Sequence, residues 1–146
     1  MKIFCDTSSL FKLYHKETGT EEFEQLFTSL KITTIFLSEI AKVEFTSTVW
    51  KKVRTQEISV LEAQTTLELF ETDFAKYTFI PTDSIIIEQA RVLASKYGRQ
   101  GLRTLDSIQL STAISLFNHT EIFFTDDKLL KSLFEAEGLP TQPPSS

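Results

Sequence analysis

The chain has 146 residues, 41% of them hydrophobic and 24% charged, with a formal net charge of -5. This composition fits a single globular domain and excludes disordered and collagen-like proteins. The acidic balance argues against a protein that holds nucleic acid by its overall charge, but it does not exclude a nuclease whose acids are grouped in one site. No apolar run is long enough for a signal peptide core or a membrane span, so we expect a cytoplasmic protein without membrane association.

Four short apolar runs predict buried strands, and they alternate with helical patterns. The strands are predicted at residues 2–5, 32–37, 79–80 and 121–125. A short helix is expected from about Ser8, followed by helices over about 21–30, 38–54, 59–77, 84–98, 104–117 and 127–136. Strands separated by helices favour a three-layer α/β/α fold, with helices on both faces of a mainly parallel sheet of four to five strands. We expect one domain over residues 1–138 and a partly disordered tail at 139–146.

Local signals predict how several helices begin and end. Thr18 with Glu21, and Ser59 with Glu62, have the spacing of capping boxes at helix N-termini. Gly98 is a natural stop at the end of the helix that follows the third strand. The helices on either side of the Ser59 capping box are expected to form a helical hairpin.

Carboxylates directly follow the first and the last predicted strands. Asp6 comes after KIFC, and Asp126 and Asp127 come after IFFT. In open parallel sheets, ligands bind outside the carboxyl ends of the strands, where the strand order reverses. If the first strand lies between the second and the last, right-handed crossovers bring these acids to one such point. The alternative for each acid is a helix N-cap, because Asp is favoured at that position.

Two more acids lie within predicted helices, on faces that should pack against other elements. Glu44 has Ile40 one turn before it on the helix surface. Asp106 has Leu110 one turn after it, although Arg103 is an alternative structural partner for this carboxylate. Four acids that converge on one cleft favour a hard divalent cation, Mg²⁺ or Mn²⁺, because these ions prefer carboxylate and water oxygens.

No cluster of cysteine or histidine competes for such a cation. Cys5 is the only cysteine, so it has no partner for an intramolecular disulfide and is expected to be a buried structural thiol. His15 and His119 lie in polar connecting segments and are expected at the surface. With four glycines in the whole chain, neither a Walker loop nor a dinucleotide-binding loop is present.

The order of these motifs resembles that of the PIN-domain ribonucleases, in particular the VapC-type toxins of toxin-antitoxin pairs. The resemblance covers nearly the whole chain, from IFCDTSSLFKLY through SEIAKVEF and LRTLDSIQLSTAI to FFTDDKLL. It implies a metal-dependent endoribonuclease whose four acidic positions are here Asp6, Glu44, Asp106 and one of the final pair, where the T-x-D pattern of the family selects Asp127 and Asp126 is the alternative. Asp6 and Asp106 would be the main ligands of Mg²⁺ or Mn²⁺, and the other two acids would complete the site.

The same resemblance implies supporting residues and partners. The hydroxyls of Thr7 and Thr125 match positions beside the first and the last acid, and Asp126 would cap the last helix or support the site. The family further implies RNA as the substrate, products with 5′-phosphate and 3′-hydroxyl ends, a small antitoxin that blocks the active site, and a homodimer.

Basic side chains near the acids are candidates for contact with RNA phosphates. They are Lys12, Lys16, Arg99 and Arg103, and the alternative for each is a solvated surface charge. Two other functions stay open at this point. One is a PIN-like module that binds RNA or protein without cleaving it, and the other is a phosphatase or phosphoacceptor domain with Asp6 as nucleophile.

Overall fold

The computed structural model describes residues 1–16 and 20–143, which form four strands and seven α-helices. The strands are β1 (Lys2–Cys5), β2 (Thr34–Ser38), β3 (Tyr77–Ile80) and β4 (Ile122–Phe124). The helices are α1 (Thr7–Phe11), α2 (Thr20–Ser29), α3 (Ala41–Arg54), α4 (Val60–Thr72), α5 (Ser84–Tyr97), α6 (Thr104–Ser115) and α7 (Lys128–Ala136). Two short 3₁₀ turns cover Asp73–Lys76 and Gly98–Gln100.

The four strands form one parallel sheet in the order β3-β2-β1-β4. Phe4 of β1 pairs with Phe36 on one side and with Phe123 on the other. The strand order therefore reverses beside β1, which lies between the second and the last strand as the sequence predicts. This arrangement confirms the expected parallel α/β fold and opens a crevice at the carboxyl ends of β1 and β4.

The alternating side chains of the central strands build a separate hydrophobic core on each face of the sheet. Ile3 and Cys5 point into one core together with residues of α1, α3 and α4. Phe4 points into the other core together with residues of α5, α6 and α7. Successive residues of a strand point to opposite faces, so an apolar run without alternation is what a sheet covered on both sides requires. The expected three layers are confirmed.

Among the described residues, the observed helix ends can be compared with the capping signals in the sequence. Ser59 and Glu62 form the expected capping box at the start of α4, whereas the predicted box of Thr18 and Glu21 includes a residue outside the described ones. Gly98 is the C-cap of α5 but has right-handed helical dihedral angles, and the left-handed residue is Gly101, with a φ of 102°. The predicted helix over 59–77 is shorter than expected, because its last turn becomes the 3₁₀ turn before β3.

The C-terminal segment packs on the domain beyond α7. Leu139 is buried in the second core, and the Phe123 amide donates a hydrogen bond of 2.8 Å to the carbonyl of Pro140. The expected domain boundary at residue 138 and disorder of the tail stay predictions, and residues 144–146 lie outside the described part. Within the described ranges, no helix is long and apolar enough to cross a membrane.

Candidate functional site

A cavity of about 350 Å³ opens at the carboxyl ends of β1 and β4, where the strand order reverses. Five carboxylates from four separate segments of the chain line it, namely Asp6, Glu44, Asp106, Asp126 and Asp127. The sequence predicts that these acids meet, and the structure places all five on the walls of one cavity.

Asp6 ends β1 and caps α1, so the same carboxylate fixes the turn between them. Its Oδ1 accepts hydrogen bonds of 2.9 Å from the Ser9 amide and from the Ser9 hydroxyl. Its Oδ2 accepts a hydrogen bond of 2.5 Å from the Thr125 hydroxyl, at the end of β4. The N-cap alternative considered for Asp6 is therefore correct, and it coexists with a position on the cavity wall.

Burial raises the pKa of Asp6 from its ordinary value to about 6. The carboxyl group is 4% exposed, and the loss of solvation outweighs the hydrogen bonds from Thr125, Ser9 and Ser8, which favour the charged form. A carboxylate held in this way would be stabilised by any positive charge that enters the cavity.

The hydroxyl of Ser8 connects the turn after β1 to the turn after β4. It donates to the Asp6 carboxylate at 2.9 Å and accepts a hydrogen bond of 2.9 Å from the Asp126 amide. Together with the bond from Thr125 to Asp6, this contact holds the two acid-bearing turns side by side. The predicted supporting role of Thr125 thus has a structural counterpart, whereas the sequence reasoning missed Ser8.

Glu44 lies on α3 and is held by two side chains from other helices. Its Oε1 accepts a hydrogen bond of 2.9 Å from the Thr7 hydroxyl and one of 2.8 Å from the Gln109 amide. The Gln109 amide also donates to the Thr7 hydroxyl at 3.1 Å, which closes a triangle between α1, α3 and α6. Gln109 is 2% exposed, and the sequence reasoning missed it although it lies one turn after Asp106 on the same helix.

Asp106 lies in the first turn of α6 and is only partly buried. Its pKa is raised, first by burial and then by the negative charges of Asp127 and Glu44, while the Arg103 guanidinium opposes the rise. These carboxylates therefore interact across the cavity. Arg103 alone does not compensate the charge of Asp106, because burial and the repulsion from Asp127 and Glu44 outweigh the attraction of the Arg103 guanidinium.

The two adjacent acids after β4 have different partners, and one expectation about them is wrong. Of the two roles predicted for Asp126, the cap of the last helix is wrong, because Asp127 immediately precedes α7 and its Oδ1 accepts a hydrogen bond of 2.7 Å from the Leu130 amide. The Asp126 carboxylate instead forms an ion pair of 2.7 Å with Lys12. Asp127 is the cap because the strand ends at Phe124 and the turn takes up the next two residues.

Comparison with known proteins assigns this architecture to a family. The profile of the PIN domain matches residues 3–133 of the chain. The chain belongs to the PIN-domain family. No curated protein sequence gives a match.

Solved structures share the fold of this PIN domain at low sequence identity. VapC20 from Mycobacterium tuberculosis, a sarcin-ricin loop cleaving toxin, matches with a TM-score of 0.72 and 13% identity over 97% of this chain and 99% of its own. VapBC2 from Rickettsia felis, bound to promoter DNA, matches with a TM-score of 0.63 and 16% identity over 99% and 100%. A toxin-antitoxin complex from Klebsiella pneumoniae matches with a TM-score of 0.61 and 18% identity over 86% of each chain. The expected resemblance to this family is confirmed.

None of the four basic residues predicted to contact RNA lines the cavity of this PIN domain. Lys12 is 8% exposed and pairs with Asp126, so its ammonium already has a carboxylate partner. Lys16, Arg99 and Arg103 are exposed, and none of them lines the cavity. The basic residue on the cavity wall is Lys52 of α3, which the sequence reasoning did not consider.

The donor chemistry of the PIN domain cavity suits a hard divalent cation. Among the described residues, no group of three or more His, Cys, Asp or Glu side chains is arranged to hold a metal ion as it stands. The walls nevertheless present carboxylate and hydroxyl oxygens, and the negative charges of Asp127 and Glu44 contribute to the raised pKa of Asp106. Mg²⁺ and Mn²⁺ take such ligands, so the residue types on the cavity walls fit the expected cation.

Proposed function

We propose that this PIN domain is an endoribonuclease dependent on Mg²⁺ or Mn²⁺ and acts as the toxin of a type II toxin-antitoxin pair. The observation that carries the proposal is the cavity in which acids from four separate segments meet, two of them with raised pKa values. A scaffold gains no stability from carboxylates that repel one another, whereas a metal-binding site requires them. Membership of the PIN family and the shared fold with VapC20, a sarcin-ricin loop cleaving toxin, support the same proposal.

In this proposal each acid has a defined task. Asp6 and Asp106 would hold the cation, with Glu44 and Asp127 completing its environment. A bound divalent cation would supply Lewis-acid chemistry, which lowers the pKa of a water molecule and stabilises the charge that develops on the scissile phosphate. Thr7 and Gln109 fix the direction of the Glu44 carboxylate. Thr125 fixes that of Asp6, so the acids keep their positions before any substrate binds.

The partners proposed for the chain are a small antitoxin and a second copy of itself. Two of the similar solved structures are described as VapBC or toxin-antitoxin complexes. Two apolar side chains on one face of α5, Ile85 and Val92, are 76% and 52% exposed, and exposed apolar surface of this kind favours burial in an interface. If α5 forms the homodimer interface, Ile85→Glu should convert a dimer into a monomer in light-scattering measurements.

The function can be tested with purified protein refolded to remove any bound partner. Total RNA is incubated with Mg²⁺, with Mn²⁺ or with EDTA, and the new 5′ ends are mapped by sequencing. We expect cleavage only with a divalent cation, 5′-phosphate products, and a loss of about 1,000-fold or more in Asp106→Asn, since several kcal/mol of charge stabilisation disappear. Asp83→Asn is the matched control, because Asp83 caps α5 and does not line the cavity.

The alternative function, an RNA- or protein-binding module without activity, predicts a different result. The wild type would then cleave no RNA with either cation, calorimetry would detect no Mn²⁺ binding, and Asp106→Asn would bind partners as the wild type does. A covalent phosphate on Asp6 would instead favour a phosphoacceptor domain.

A further inference from the structure

The cavity has a second end, which differs in chemistry from the acidic end. This end is formed by Phe11, Thr48 and Lys52. Glu44, Thr48 and Lys52 are spaced four residues apart on α3, so their side chains form a row along one face of the helix. At a rise of 1.5 Å per residue, Lys52 lies about 12 Å along the helix from Glu44. The cavity thus extends from the proposed cation site to a single ammonium group.

Lys52 is held at this end by a partner outside the cavity. Its Nζ lies 3.1 Å from Oε1 of Glu57, and its side chain is 23% exposed. Glu57 is itself fixed, because its amide donates to the Lys52 carbonyl at 2.9 Å and its Oε2 accepts a hydrogen bond of 2.5 Å from the Thr55 hydroxyl. The Lys52 ammonium also lies 6.0 Å from the centre of the Phe11 ring. The lysine is therefore positioned before any ligand arrives.

The ion pair between Lys52 and Glu57 can be exchanged for another anion, unlike that of Lys12. Exposed pairs of this type contribute little stability, in the range of about 0 to 1 kcal/mol. The Lys12 side chain is 9% exposed and its partner Asp126 is 47% exposed, so it is the burial of Lys12 itself that restricts its ammonium, whereas the Lys52 side chain is 23% exposed. The Glu57 side chain is 48% exposed, so water would solvate the Glu57 carboxylate once Lys52 turned to another anion.

We propose that Lys52, with the Thr48 hydroxyl beside it, binds a backbone phosphate of the RNA next to the phosphate that is cleaved, an inference that rests on the proposed nuclease function. An RNA strand carries one negative charge per nucleotide, and a cavity lined by five carboxylates repels it except where a cation stands. Among the described residues that line the cavity, Lys52 is the only basic one. A strand that follows the row on α3 would therefore have one phosphate at the proposed cation site and another at Lys52.

The test compares Lys52→Gln with Lys51→Gln, since Lys51 is an exposed neighbour on the same helix that does not line the cavity. Binding of a fluorescein-labelled pool of random single-stranded RNA is measured in the Asp106→Asn background with Mg²⁺, over a range of salt concentrations. Cleavage is measured in the otherwise unchanged chain. We expect Lys52→Gln to weaken RNA binding about tenfold and to raise KM without changing kcat. The slope of the logarithm of affinity against the logarithm of salt concentration should become shallower by about one. Lys51→Gln should change none of these quantities by more than about twofold.

A second variant should strengthen RNA binding at the same site. Glu57→Gln removes the competing carboxylate, so binding should tighten by about twofold to threefold. If Lys52→Gln and Lys51→Gln behave alike while the wild type cleaves RNA, the phosphate site is wrong and the nuclease proposal stands. If the wild type does not cleave RNA but binds it through Lys52, the site stands and the nuclease proposal falls. If there is neither cleavage nor an effect of Lys52→Gln on binding, both are wrong.

Discussion

The acids of the candidate site are held in two different ways, depending on whether they follow a strand or lie within a helix. Asp6 and Asp127 immediately precede helices, and each accepts a hydrogen bond from a backbone amide of the helix it caps. Glu44 and Asp106 lie in the first turns of α3 and α6, but neither residue is the N-cap of its helix. Glu44 has Thr7 and Gln109, whereas Asp106 lies opposite two other carboxylates.

This difference leads us to expect that the strand-end acids contribute to the fold through their caps as well as to the proposed site. We expect the helix-borne acids to matter mainly for the proposed site. Replacing a capping acid with a residue that cannot cap should therefore lower stability as well as activity, whereas Asn keeps the cap and changes stability only where the carboxyl group is deeply buried. The experiments below test this division, beginning with the largest expected effect.

The largest expected effect is the pH dependence of stability caused by Asp6. Its pKa is about 6 in the folded protein and near its ordinary value of about 4 in the unfolded chain. Between these values the unfolded chain has lost the proton and the folded protein keeps it, so the free energy of unfolding falls as pH rises through this window. The loss is complete above about pH 6 and amounts to about 3 kcal/mol.

The free energy of unfolding of Asp6→Asn should not fall in this pH window, because an amide does not ionise. Urea unfolding in metal-free buffer at pH 4 and pH 7 measures the difference, and the variant should be more stable than the wild type at pH 7 while it cleaves no RNA. If both proteins lose the same stability between the two pH values, burial of Asp6 does not control its proton, and the comparison between strand-end and helix-borne acids loses its basis.

The next effect separates the two adjacent acids after β4. Asn is as good an N-cap as Asp, so Asp127→Asn should keep the stability of the wild type and reduce RNA cleavage about 100-fold. Asp126→Asn should stay within about threefold of the wild type, because that carboxylate is paired with Lys12. The reverse pattern in cleavage assays would make Asp126 the fourth acid of the site.

A smaller effect is expected from the side chain that positions Glu44. Gln109→Leu removes the amide that donates to Glu44 but leaves the Thr7 hydroxyl in place, so kcat should fall about tenfold with little change in KM. Ser111→Ala is the matched control, since Ser111 is also buried on α6 but donates to the Ile86 carbonyl away from the cavity. Equal kcat values in the two variants would show that the hydrogen bond from Gln109 is not required to position Glu44.

The smallest effect concerns the caps themselves. Asp127→Ala and Asp83→Ala each remove a carboxylate that accepts a hydrogen bond from a helix-start amide, and each should cost about 1 kcal/mol of stability. Thermal unfolding in metal-free buffer should therefore give similar shifts for both, with RNA cleavage lost only in Asp127→Ala. A much larger shift for Asp127→Ala would mean that this residue supports the fold through contacts beyond its cap.

The parallel sheet and the meeting of the acids could be predicted from the sequence because both follow from short-range patterns. Apolar runs such as IFC and IFF require a sheet covered on both faces, and the strand-end positions of Asp6 and Asp127 then follow from the strand order. The detailed partners could not be predicted in this way. Gln109 looks like an ordinary helix residue until α1, α3 and α6 converge, and Lys52 becomes part of the cavity only through the packing of α3.

The capping assignment of the last two acids illustrates the same limit. A shift of one residue in the end of β4 decides whether Asp126 or Asp127 precedes the helix, and the sequence TDDK offers both equally. The contact that distinguishes them is the ion pair between Asp126 and Lys12, two residues separated by most of the chain. Long-range pairs of this kind leave no local pattern.

The burial of Cys5 makes the strand that carries Asp6 observable in solution. It is the only cysteine of the chain, it has no exposed surface, and burial raises the pKa of its thiol. A thiol reagent can therefore modify the folded protein only when the core around Cys5 opens. The labelling rate under native conditions gives the free energy of that opening directly, so ligands that tighten the cavity can be recognised by how strongly they slow the modification of one sulfur atom.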